Sequence, residues 1–225
     1  MTAQLKEYRD TWTVNQRVLR SVLESGEQRE KAVELFMVQQ GALHSSKAAP
    51  EAPYSLEDLL LDDISEEIFR RVPKGEEHSI AWLIWHLARC EDITMNVLTV
   101  GRPQVLANWQ AKLRIEAQDT GNAMTPAEII ALSESIDQEV LRGYRAAVGR
   151  ATREIVRALT LEQINAKVDP ERIEQILDGG SVLPGAVGIA EYWGRRTIAG
   201  LLLMPPTRHN MTHINEGFRL KGKKE

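Results

Sequence analysis

Apolar residues recur along this chain at intervals of three and four, and they never alternate with polar residues for long. Residues at i, i+3 and i+4 share one face of a helix, so the pattern predicts an all-α chain. Leu5, Tyr8, Trp12, Leu19 and Val22 form the first stripe, on a helix that Gly26 ends. A second helix is expected over 27–43, with Val33, Phe36, Met37 and Gln40 on neighbouring turns. The stretch HSSKAAPEAPYS, 44–55, has the Pro, Ser and Ala content of a loop. A short helix through SLEDLLLDDISEEIF follows, with Ser55 as its cap.

Lys74 and Gly75 punctuate the chain before its most apolar helix, expected over about 77–100 and closed by Gly101 with Pro103 beyond. The next long helix opens at TPAE, where Thr125 caps, Pro126 fits the first turn and Glu128 completes a capping box. Its pattern runs to about 158, and DPERIEQIL opens another helix by the same logic. DGGSVLPGAVG, 178–188, has the glycines of a phosphate loop, but no Gly-Lys-Ser/Thr follows and no strand precedes it. It reads as a connector.

With 225 residues, 43% hydrophobic and 27% charged, the chain is long enough for one well-buried core, and a single domain over 1–225 is expected. A net charge of −4 argues against a nucleic-acid partner, and the basic run LKGKK reads as a solvated tail. Cys90 is the single cysteine, which excludes an internal disulfide and points to the cytoplasm. The start MTAQLKEYRDTW lacks the apolar core of a signal peptide. The richest apolar run, IAGLLLM at 198–204, stops at Pro205, so no membrane span is expected.

Chemistry is concentrated in the histidines. In PPTRHNMTHINEG, 205–217, Pro206 suits a first helical turn, and His209 and His213 then lie one turn apart on one face. That face also carries Glu216 and Leu220, opposite a stripe of Met211, Ile214 and Phe218. Either the histidines lie in water, or they turn inward and the other stripe meets an extra helix or a second subunit. His86 shares its face with Ser79, Trp82, Leu83, Cys90, Ile93 and Val97, whereas Arg89, Asp92 and Asn96 gather on another side with Trp85. His86 is therefore expected inside, where each ring nitrogen needs a partner: a carbonyl, a hydroxyl or a metal ion. Three histidines from two helices make a metal site with open positions for water or substrate. Cys90, one turn on from His86, either adds a thiolate or is a small buried hydrophobe. Glu216 either orients a ligand, acts as a base or lies in solvent. His44 and His78 sit in loop and helix-start settings and are left out of the set, His78 as too far from His86 to share an ion.

Two stretches resemble a known family. HSIAWLIWHLARCEDITMNVL, 78–98, resembles the DinB/YfiT-like superfamily, whose second bundle helix carries a metal-binding histidine; His86 takes that place. LLLMPPTRHNMTHINEGFRLK, 201–221, resembles the family's final His-x-x-x-His helix. The resemblance implies a DinB-like four-helix bundle with additional N-terminal and inserted helices, the latter at 160–200. It also implies a divalent metal on His86, His209 and His213, zinc or nickel before iron or manganese, and a homodimer. Characterised relatives include bacillithiol transferases and mycothiol-dependent maleylpyruvate isomerases. The expected function is therefore activation of a low-molecular-weight thiol for attack on a small-molecule electrophile; the alternatives are a metal-dependent hydrolase and a non-catalytic metal-binding stress-response protein. Trp82 and Trp85, with Arg195 or Arg196, either line the pocket or serve in helix packing, for the tryptophans, and at the ordinary surface, for the arginines.

Overall fold

A computed structural model describes residues 3–52 and 55–223. Pro53 and Tyr54 of the 44–55 loop and Lys224 of the basic run lie outside the described residues. The helices are α1 (Ala3–Ser25), α2 (Arg29–Gly41), α3 (Leu56–Leu61), α4 (Glu66–Arg70), α5 (Ile80–Asp92), α6 (Gln110–Leu113) and α7 (Pro126–Ser135). After them come α8 (Gln138–Ala158), α9 (Leu161–Asn165), α10 (Pro170–Asp178), α11 (Val187–Gly194), α12 (Ile198–Leu202) and α13 (Asn210–Lys221). No strand occurs among the described residues; one isolated bridge pairs Lys167 with Thr197.

Most predicted boundaries fall where the local signals put them. Gly26 leaves α1 with φ +66°, Ser55 accepts the Asp58 amide at the start of α3, and Thr125 and Glu128 form the capping box of α7. Three differ. The helix expected over 125–158 is two helices, because Asp137 accepts the Val140 amide and caps a new start after Ile136 turns extended. The short helix after Ser55 likewise breaks at Asp63, φ +58°, and restarts under Ser65. The basic run is no free tail: Leu220 is buried, Lys221 Nζ donates to the Leu60 carbonyl at 2.7 Å, and Lys223 pairs with Glu76.

Helix α5 continues through a π-helical stretch, Ile93–Thr99, and every residue from Ser79 to Thr99 is buried. A helix buried all round is a central helix, and its polar side chains must find partners inside. It packs against α8 and α13, while α2 touches both α8 and the π turn Met204–His209 that leads into α13. These four make the bundle, with α1 laid on α2. Helices α10 and α12 pack on the π stretch that follows α5.

The close approach of α2's end to α8 depends on Gly149. A Cβ there would lie 2.6 Å from His44 Nδ1 and 3.0 Å from the Ala48 Cβ. His44 cannot retreat, since its Nε2 is bonded to Glu91 at 2.8 Å. Overpacking costs about 1–3 kcal/mol, and the better helix propensity of alanine returns at most about 1. Gly149→Ala is expected to lower the melting temperature by up to roughly 8 °C, measurable by thermal circular dichroism; a raised value contradicts this packing.

Candidate metal centre

The polar side of α5 organises the loop that faces its histidine. Arg89, fully buried, donates to Asp92 at 3.1 Å, to the Tyr144 hydroxyl at 2.7 Å and, through Nε and Nη2, to the Gln118 carbonyl. Asp92 in turn accepts the amides of Val105 and Leu106, each at 2.9 Å. The 102–120 segment is thereby tied down at both ends, and it brings the Thr120 carbonyl to His86. His86 Nδ1 donates to that oxygen at 2.7 Å. A carbonyl only accepts, so Nδ1 carries the proton and Nε2 keeps a free lone pair.

The second segment turns its histidines inward through the π turn. Pro205 and Pro206 have no N–H, and side chains take carbonyls there: Thr207 Oγ1 donates to Leu202 at 2.9 Å and Asn210 Nδ2 to Pro206 at 3.2 Å. His209 Nε2 then lies 3.0 Å from His86 Nε2. The His213 ring stands 5.1 Å from the His86 ring and 4.6 Å from that of His209, edge to face. Each of the three offers a ring nitrogen within 4.8 Å of the others. His213 Nδ1 donates to Glu216 at 2.8 Å, which leaves its Nε2 free. The Met211 and Ile214 stripe is covered by α1 and its neighbours, packing with Leu5, Trp12, Leu43 and Leu56. The extra helix, not a second subunit, meets that face.

The family model of the DinB superfamily matches residues 55–215. The chain belongs to the DinB superfamily. Helices α1 and α2 precede the matched span, while α9–α12 lie inside it. No curated protein matches the chain.

A divalent ion fits the donor set of this DinB bundle. Burial first, then the charge of His213, holds His86 at about 3, and burial with the two neighbouring rings holds His209 well below its usual value. Both are thus neutral at pH 7, the form in which an imidazole can ligate a metal. Two facing Nε2 atoms can share one proton or one cation, and the buried His209 Nδ1 has no partner. Cys90 is outside the set: its sulfur is 3.8 Å from both ring nitrogens of His86, hence against the ring, and burial pushes its thiol up.

The three rings line one end of a cleft of about 520 Å³, with Trp82, His78 and Gly121 among its other walls. Trp82 stacks on His86 with ring centroids 4.7 Å apart, and His78 stacks on Trp82 at 3.9 Å. His78 Nδ1 donates to the second oxygen of Glu216 at 3.0 Å. Partial burial pushes Glu216 up, but its bonds to His213 and His78 prevail and hold it at about 2. Sequence reasoning set His78 aside on its distance from His86; the signal it lacked was Glu216, 138 residues away, which connects the two histidine segments. Trp85 is fully buried elsewhere, against Tyr144, and Arg195 and Arg196 line a different cleft.

These charges set a pH dependence. An unfolded histidine protonates near pH 6.5, while His86 stays neutral down to about 3, so the unfolded chain binds more protons in that window. Stability therefore falls as pH falls through it, and Glu216 adds in the same direction below pH 4.5. Metal-free protein is expected to lose about 1.4 kcal/mol for each of His86 and His209 between pH 7.5 and 5.5. Urea denaturation at the two pH values measures this; equal stabilities contradict the buried neutral rings.

Proposed function

We propose that this DinB protein is a metal-dependent enzyme that activates a low-molecular-weight thiol for attack on an electrophilic small molecule. The observation that carries the reading is the convergence of three imidazoles, two of them held neutral and that of His86 fully buried, along a cleft, with no fourth protein donor in the set among the described residues. A closed four-ligand site would favour a structural role; three ligands leave a position for chemistry. A divalent ion held there supplies acidity to the thiol or water placed beside it.

The chain's own residues supply the rest. Thr120 and Glu216 each accept the N–H of a histidine, which fixes the tautomer and aims the other nitrogen. His78, with its Nδ1–H given to Glu216, has Nε2 left to accept the thiol proton at the cleft wall. The indole of Trp82, stacked between His78 and His86, gives that wall a flat apolar surface. The His78–Glu216–His213 chain links the proton acceptor to the ligand set.

Purified protein is expected to bind about one divalent ion per chain, and His86→Ala and His209→Ala each to lose it, as read by elemental analysis after dialysis. Metal retained in either variant refutes the assignment. Glu216→Gln is expected to weaken metal affinity roughly 10–100-fold while the fold persists. His78→Gln is expected to keep the metal and lose about 10²–10⁴ in thiol transfer. The activity screen pairs metal-loaded protein with several cellular thiols and a reactive electrophile; turnover of an ester without any thiol would replace transfer by hydrolysis.

A further inference from the structure

His209 is also a wall of a second pocket, of about 200 Å³, whose other walls are Cys90, Ile189, Tyr192, Trp193, Met204 and Pro205. Apart from His209 these side chains are apolar or, like Tyr192, mostly so, and the partnerless Nδ1 of His209 belongs to that same ring. Cys90, with its thiol held protonated by burial, contributes only a small apolar surface. The pocket does not stand alone. Tyr192 and Met204 are shared with a neighbouring cleft of about 450 Å³, which carries Arg20, Arg195, Arg196 and Arg208 against one acid, Glu24.

That cleft has unspent positive charge. Among the described residues, Arg20, Arg196 and Arg208 form no ion pair, and Arg195 reaches Glu191 only at 3.9 Å. Arg196 lies 4.1 Å over the Tyr192 ring, which places its guanidinium at the wall the two cavities share. The arginines come from three places, α1, the turn before α12 and the π turn before α13, so the cleft is a product of the fold and not of one basic run. A guanidinium with free donors pairs in a fork with a carboxylate or phosphate. A cavity of ~150 Å³ holds a benzene-sized body, so the apolar pocket suits a single ring or a chain of similar volume.

We propose that the arginine cleft and the apolar pocket together bind an amphipathic organic anion, its acid group against Arg196 and Arg208 and its hydrocarbon body directed toward His209. As a substrate site this rests on the metalloenzyme reading above; as a binding site it is judged separately. The probes are 4-phenylbutanoate and its uncharged counterpart 4-phenylbutan-1-ol, titrated calorimetrically into the full chain, both metal-loaded and chelator-stripped. The acid is expected to bind about tenfold or more tightly than the alcohol. The Arg196→Gln/Arg208→Gln double variant should abolish that preference without changing metal content. Ile189→Trp, which fills the pocket, should weaken both probes. Equal binding of acid and alcohol, a preference that survives the double variant, or no binding of either probe overturns the inference. Metal analysis of the same samples keeps the two claims apart: a metal-free wild-type chain ends the metalloenzyme reading, whereas anion recognition stands or falls on the arginine variant.

Discussion

The hydrogen bond from His86 Nδ1 to the Thr120 carbonyl is the constraint on which the site depends. It fixes the proton on one side of a ring that burial keeps neutral, and so fixes a lone pair on the side facing His209. The acceptor is held in place by the polar flank of the same helix, through Arg89 and the Gln118 carbonyl two residues before Thr120. The loop then clears Trp82 only because Gly121 has no side chain: with φ +80°, a Cβ there would stand 2.9 Å from the indole nitrogen. Arg89, Asp92, Trp82 and His86 therefore act as one unit, and α5 is buried on every face because each face has its own partner.

The N-terminal helices that precede the family match serve the same geometry from behind. α1 covers the apolar back of α13, and its Gln16 donates to Thr207 at 2.9 Å, inside the π turn. From the end of α2, Gln40 and His44 reach the buried Glu91, which also accepts Asn210 Nδ2 at 2.9 Å. Burial pushes the Glu91 carboxyl up, yet His44, Arg145 and Asn210 outweigh it and hold it ionised. Asn210 adjoins His209, so the charge layer anchors the backbone that presents the second ring. Without a covered back, a helix with Met211 and Ile214 on one side would turn that side inward and its histidines out.

His209 consequently stands between two kinds of space. On one flank the cleft is polar, with His78 bonded to Glu216; on the other the pocket is apolar and shares Tyr192 and Met204 with the arginine cleft. The bundle thus places a polar and an apolar environment on two sides of one imidazole.

What the sequence determined by itself was whatever depends on neighbours a few residues apart. The helical period, the caps at Ser55 and Thr125, the burial of His86 and the one-turn spacing of His209 and His213 are all local, and the family motifs around them named the three residues that meet. The breaks at Asp63 and at Ile136 were less legible, because an apolar period continues across them while only a cap or a positive φ marks the change. Tertiary structure alone decided which face of α13 turns inward, since that rests on α1 lying across the chain from it. It also decided that His78 joins the site through Glu216, that Trp85 leaves it, and that Arg195 and Arg196 face a separate cavity. Periodicity tells a side chain's angle about its own helix axis, but contact between distant helices is set by how their surfaces pack, and no single segment carries that information.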